Sequence, residues 1–442
     1  MRQSAGVKFA GHARLERQGY LNDMRKTPGM HFRSFDPAGA AGVLSTLVVA
    51  FGGANHALSA AAPEGPAAIQ AGPFAITPTT GVEFKHRDNI YLQQNNATDS
   101  WIYLARPGLS ALLQDRNNTY QVSYKGEAGW YQVSRHNDDN DYFDNTVSGD
   151  VHLEFSDRWI AEGVASWASL HEDRGTGLSE GLIGEVLPKP IRYDQGDIGG
   201  SLQLGSHKDI GWLLLKAGYM DRQYQNFEEL TRGRDRDETA VSATFFHPVA
   251  PNTDVLAEYA FKRIHYPNPF EDIPQLDSDE NTLSLGAQWE ITPNLTSTAK
   301  LSYVDKDFKE SGREDWDGLG WGLDLLMQPR EQDTILVTSA RQPEETTLQG
   351  DFIKREVLTA TWTHQWSDRV YSELGSLLGQ DNYAQSFDDR EDDILSVSLK
   401  VGYEFRRWAN VYTGYTYDRK NSNVENLSYR DYVFNIGVEL SL

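Results

Sequence analysis

Ionisable side chains recur at alternate positions along this chain. Lys125 and Glu127 stand two apart, and Asp150, His152 and Glu154 repeat the spacing. Glu162, Lys216, Glu258, Lys262, Glu290, Lys300, Lys400, Glu404 and Arg406 occupy equivalent places in later segments. A period of two puts such residues on one face of a strand. Both signs of charge are present, with Gln, Ser and Thr between. A face of that kind can line water and offer hydrogen bonds and weak ionic contacts to neutral or anionic hydrophilic solutes. For any one residue, an ion pair across neighbouring strands that stiffens a wall is an equally good reading.

Catalytic groupings are not expected. The sequence has no Gly-x-Ser-x-Gly elbow, no His-Glu-x-x-His zinc helix and no phosphate-binding glycine loop. His152 and His364 stand singly on strand-like segments, where a solvated or interfacial histidine is the simpler reading than a general base. Residues 137–141 are acidic like a calcium loop but lack its central Gly and distal Glu. No metal, cofactor or thiol chemistry is expected, and the chain contains no Cys.

The elements that must hold these residues are strands. Tyr432, Phe434, Ile436, Val438, Leu440 and Leu442 alternate with Val433, Asn435, Gly437, Glu439 and Ser441 to the last residue. The same alternation appears at 120–130, 147–155, 255–262, 283–291 and 395–406. A soluble sandwich also alternates, but alternation in nearly every segment, with almost no helical period, favours a barrel with lipid outside and water inside. Mean hydropathy is low, at -0.56, as it can be when only alternate residues meet lipid. Trp101, Trp130, Trp159, Trp167, Trp362, Trp366, Trp408 and Tyr432 are expected in interfacial girdles.

Turn chemistry counts the strands. Eight short segments rich in Asp, Asn, Pro and Ser, such as 156–158, 292–294 and 367–369, alternate with nine longer polar loops. This spacing predicts an all-β, antiparallel, up-and-down transmembrane barrel of about eighteen strands. The first strand is expected near 74–86 and the last near 429–442. Short turns and both chain ends would face the periplasm of a Gram-negative outer membrane.

Residues 1–61 are expected to be a secretory leader. It has a basic stretch (Arg25, Lys26, Arg33), an apolar stretch at 38–53 and a small-residue cleavage region at 57–62, with Met24 or Met30 as alternative starts. Residues 62–73 read as a short periplasmic tether, and 74–442 as the barrel. The leader carries seven Lys and Arg against three Asp and Glu, so its removal takes the formal charge from -23 to -27. A chain this acidic is a poor nucleic-acid partner. Acidic runs at 138–144, 305–317 and 388–393 read as solvated loops, with divalent-cation bridging at the cell surface as the lesser alternative.

Several stretches resemble a known family. Gly81-Val82-Glu83-Phe84 leads to Asp88-Asn89-Ile90-Tyr91; Pro107-Gly108-Leu109 follows, then Tyr120 to Tyr124, and then His171-Glu172-Asp173-Arg174-Gly175-Thr176-Gly177. Over about residues 74–180 the chain resembles the second type of outer-membrane β-barrel porin, found with exopolysaccharide operons. The resemblance implies non-catalytic export of an extracellular polysaccharide, delivered by a periplasmic polysaccharide-export protein and an inner-membrane copolymerase. It also implies insertion into outer-membrane lipid by the barrel-assembly machinery, although the chain ends in Leu442 where such barrels often end in Phe. A fold does not fix a cargo. A diffusion porin for small hydrophilic solutes and a non-conducting surface barrel are the alternatives, followed by an outer-membrane enzyme, which would need Ser, His and an acid converging on one wall.

Overall fold

The computed structural model describes residues 68–132, 139–270, 275–292, 294–346 and 348–441. The leader expected at 1–61, Leu442 and part of the acidic run at 137–141 lie outside these residues. The tether is described from residue 68, where a short strand β1 (Ile69–Ala71) folds back on the next, pairing Ile69 with Ile76.

Eighteen long strands follow. They are β2 (Phe74–Arg87), β3 (Ser100–Asp115), β4 (Asn118–Tyr131), β5 (Tyr142–Ser156), β6 (Trp159–Glu172) and β7 (Ile191–Leu204). Next come β8 (Trp212–Tyr224), β9 (Arg236–Ala250), β10 (Thr253–His265), β11 (Ser278–Thr292), β12 (Leu295–Phe308) and β13 (Trp316–Arg330). The last six are β14 (Asp333–Glu345), β15 (Phe352–Ser367), β16 (Val370–Ala384), β17 (Glu391–Arg406), β18 (Ala409–Ser422) and β19 (Tyr429–Ser441). Each pairs antiparallel with its successor, and β19 returns to β2 from Val433↔Arg87 to Ser441↔Thr79. The sheet is therefore a closed barrel without a free edge, which lipid would otherwise leave unsatisfied. Short connections at one end and long ones at the other follow the spacing of turn residues in the sequence.

Alternation sets inside and outside. Val122, Trp167, Leu285, Leu301, Leu319, Val401 and Phe434 are exposed on the outer face, an apolar belt suited to lipid. The expected girdle residues Trp101, Trp130, Trp159, Trp362, Trp366, Trp408 and Tyr432 are exposed as well. Inside, small residues make room for rings. The Tyr142 ring lies where a Cβ on Gly129 would be, with a ring carbon 2.3 Å from that point, and Tyr412 lies over Gly437 at 2.5 Å. Pro107 interrupts one ladder. Pairing of β3 with β4 skips from Ala105↔Ala128 to Gly108↔Lys125, because proline has no N–H to give.

The inner wall is less uniformly polar than the sequence pattern suggests. Leu214, Phe246 and Leu256 form a buried cluster joined by Trp212. They lie on the opposite parity to exposed Phe245 and Val255, hence inside. Ile264, Tyr266, Leu276, Phe308 and Phe352 form a second cluster near the long-loop end.

Candidate functional site: the lumen and its inward-folded loop

The inner wall carries the ionisable residues read from the sequence, and several are paired. Arg106 Nε donates to Glu127 at 2.6 Å and its Nη1 to Glu83 at 2.9 Å. The Tyr142 hydroxyl donates to Glu127 at 2.5 Å, as does that of Tyr412 to Glu83. Lys262 meets Glu280 at 2.9 Å, Lys300 meets Glu258 at 3.0 Å, and His152 Nδ1 lies 3.2 Å from Glu162. Wall-stiffening pairs thus account for part of the set. Lys125, Asp150 and Glu290 are exposed to the lumen. Glu154, Lys216 and Glu404 are half-buried on the same parity, and Lys400 Nζ sits 4.3 Å from the Tyr412 ring centroid. Arg406 ends β17 at a short turn, its guanidinium 5.4 Å from the outward Phe405 ring, so it belongs to the rim. His364 is also outside the lumen, hydrogen-bonded to Asp333 at 2.7 Å beside Trp366.

The family-like motif has a structural role that its sequence does not announce: it roots a loop that enters the barrel. His171 closes β6, with its ring 2.9 Å from Asp144, 3.2 Å from Asp173 and stacked on Tyr142 at 3.7 Å. Arg87 bridges Asp173 at 2.8 Å and Asp431 at 2.5 Å, tying β2, the loop root and β19 together. Glu172 accepts from the Leu178 N–H at 3.1 Å and the Tyr224 hydroxyl at 2.9 Å. Arg174 donates to the Gly184 carbonyl at 2.9 Å and to Asn140 at 2.8 Å, and lies 4.2 Å from the Tyr91 ring centroid. Gly175 has φ +84°, and a Cβ there would stand 2.1 Å from the Tyr91 carbonyl oxygen. Asp88 and Asn89 hold the neighbouring loop. Asp88 accepts from the Tyr432 N–H at 2.7 Å, and Asn89 donates to the Gln93 and Arg430 carbonyls at 2.8 and 2.9 Å.

From this root the chain runs through a single 3-10 turn at Gly177–Ser179 and a short helix, α1 (Leu182–Val186). Leu178 and Ser179 are fully buried. Between these pieces Glu180 reaches two cations, Arg390 Nη2 at 2.8 Å and the Lys420 ammonium. Arg390 in turn holds Asp392 at 2.5 Å. Lys420 shares the inner parity of β18 with Tyr412. By the shorter way round, β6 to β18 is six steps, through β5, β4, β3, β2 and β19. A contact between the β6–β7 loop and the inner face of β18 must therefore cross the interior. Burial pushes the Glu180 carboxyl up, but Lys420 and Arg390 outweigh it and hold it below its ordinary value. Leu182 and Val186, four apart on α1, remain exposed.

Glu180, Arg390 and Lys420 were not singled out by the sequence pattern. Lys420, Arg87, Arg106 and Asp431 lie on the inner parity and were open to the same reading as the residues that were. Glu180 sits in a loop, where parity says nothing.

A closed eighteen-strand barrel with an apolar belt, a charged interior and a loop folded inward defines an outer-membrane barrel of the porin kind. The chain belongs to the family described as "Putative beta-barrel porin 2", whose model matches residues 62–442. No curated protein matches it. Among solved structures it is similar to the outer membrane protein OpdK from Pseudomonas aeruginosa, at 10% identity and TM-score 0.45, over 83% of this chain and 99% of that one. It is also similar to OccAB3 of Acinetobacter baumannii, at 10% identity and TM-score 0.43, over 83% and 99%. A BenF-like porin from Pseudomonas fluorescens Pf-5 gives 10% identity and TM-score 0.44, over 84% and 99%. None of these likenesses bears on what passes through this lumen.

Proposed function

We propose that this protein is a passive channel for small hydrophilic solutes across the outer membrane of a Gram-negative bacterium, with its short turns in the periplasm. The observation that carries the reading is the β6–β7 loop, tied at its root to β2 and β19 and at its tip to β18. A long extended polymer would have to slide past a segment fixed across its path, whereas a small solute needs only the space beside it. Lys125, Asp150 and Glu290 are exposed inside, and such exposed charges favour a wetted wall with weak contacts, as conduction requires. The polysaccharide-export reading, with its periplasmic export partner, rests on the family resemblance alone.

The test is reconstitution. Liposomes carrying the protein should swell in small neutral sugars and stop swelling as the sugar grows to an oligosaccharide. Absence of swelling and of ion conductance would overturn the reading. Accumulation of periplasmic polysaccharide in a deletion strain, with small-solute uptake unchanged, would restore export in its place.

A further inference from the structure

The inward loop is fixed unequally at its two ends. Its root is over-determined: His171, Glu172, Asp173 and Arg174 each make contacts to other elements. Its tip reaches the inner face of β18, six strands away, through the Glu180 carboxylate. Gly177 and Gly181, with φ +53° and +65°, bracket that residue. Positive φ at a glycine on each side lets the backbone turn sharply before and after the contact. Beyond it, the Leu182 and Val186 side chains are exposed, and the backbone of α1 is held from the root by Arg174 through the Gly184 and Glu185 carbonyls. The surroundings of the carboxylate are well defined: Arg390 and Asp392 from the β17 side, and Lys420 from β18. The Tyr383 ring lies 4.0 Å from the Arg390 guanidinium, and the Tyr429 ring 5.3 Å from Lys420. Two cations converge on one carboxylate that is itself largely withdrawn from water. A contact of that kind is strong while the charge is present and unfavourable once it is gone, because Arg390 then keeps Asp392 but Lys420 is left with only that same carboxylate at 3.9 Å.

We propose that residues 177–187 are a gate of this channel and that Glu180 is its latch on Arg390 and Lys420, so that removing the charge of Glu180 frees the segment and widens the lumen. The proposal rests on the diffusion-channel reading for its effect on transport, but the latch can be read without transport.

Ser179, fully buried beside the latch, becomes the only thiol of the full chain in S179C, since the native sequence has no Cys. Its labelling by a water-soluble maleimide reports undocking. Glu180→Gln in that background should label many-fold faster and raise single-channel conductance in planar bilayers, while Glu180→Asp should stay near the parent in both. Equal β-sheet circular dichroism would show that the barrel is intact in each variant. Unchanged labelling in Glu180→Gln overturns the latch, whatever the parent conducts. Fast labelling with no conductance in parent or variant keeps the latch and overturns the diffusion channel. Fast labelling with unaltered conductance in a conducting parent overturns the gate.

Discussion

Lys420 and Glu180 are 240 positions apart in sequence and in direct contact inside the barrel. The ammonium stands on the inner face of β18, and the carboxylate comes from the loop after β6. Both side chains are largely withdrawn from water, so the carboxylate depends on Lys420 and Arg390 for compensation, and Lys420 on Glu180 and the more distant Asp392. Taking one member from a buried pair costs about 3–5 kcal/mol, more than replacing the whole pair by apolar groups. Arg390 stays beside Glu180 when Lys420 is removed, so Lys420→Met should fall near the lower end of that range. Faster protease cleavage within 177–187, with the barrel strands uncut, is the expected result.

Acid should loosen the same contact. The Glu180 carboxyl lies below its ordinary value of 4.5 in the folded protein. A depressed folded value means stabilisation that is complete above the unfolded value and lost as pH falls through the folded one. Docking should hold at neutral and mildly acidic pH and weaken only well below pH 4.5. Maleimide labelling is too slow in acid, so protease-independent probes serve better: single-channel conductance followed from pH 7 downward should rise late, and in Glu180→Gln it should already be high at pH 7.

Substitution of Leu301 separates the two faces of the wall. It is 59% exposed at the middle of β12, on the outer face. An arginine near the bilayer midplane of a barrel costs about 2–4 kcal/mol, so Leu301→Arg should lower the denaturant midpoint in lipid by a corresponding amount. Lys125→Glu, on the inner face, should leave that midpoint nearly unchanged and shift ion selectivity toward cations. The reverse pattern would mean that inside and outside are exchanged.

Gly175→Ala should disorder the loop root. Its φ of +84° disfavours any side chain, and the Tyr91 carbonyl occupies the place of the new methyl. Strain of this type costs on the order of 1–3 kcal/mol, and the close approach adds to it. Hydrogen exchange measured over 173–190 should speed up, with β6 and β7 themselves protected as before.

His207 offers a second titration, at the short-turn end. Its imidazole bonds to Asp254 at 2.9 Å and to the Pro251 carbonyl at 2.7 Å, and these two contacts, in that order, raise it above its ordinary 6.5. A raised folded value gives stabilisation present below about pH 6.5 and lost as pH rises through the folded value. The turn at 205–211 should therefore be more ordered at pH 6 than at pH 9. Histidine resonances in micelles should place the His207 midpoint above that of a free histidine, and Asp254→Asn should bring it back down.

Strand number and facing were legible because they depend on local repetition. Period-two alternation and turn residues place the first long strand near 74–86 and the last from 429 without reference to anything distant, against Phe74–Arg87 and Tyr429–Ser441 observed. The inner charges at Lys125, Asp150 and Glu290 followed from the same parity. What escaped depends on long-range geometry. Glu180 has no periodic neighbour, and its partners, Arg390 and Lys420, come from the β16–β17 connection and from β18, six strands away. The apolar cluster of Trp212, Leu214, Phe246 and Leu256 escaped because an inner apolar residue looks, one strand at a time, like an outer one. The HEDRGTG stretch was visible as a motif, but its role as a root appears only once Asp144, Asn140 and Tyr91 are brought beside it.

The pairing of β19 with β2 also governs how this molecule comes into being. Arg87 and Asp431, joined where the two strands meet, are 344 positions apart. Closing a loop of that length costs about 5 kcal/mol in chain entropy, and every intermediate short of closure carries two raw edges through lipid. Nascent chains are thus committed to a last step that can happen only after the final strand has arrived, and until then both ends of the sheet stay unpaired.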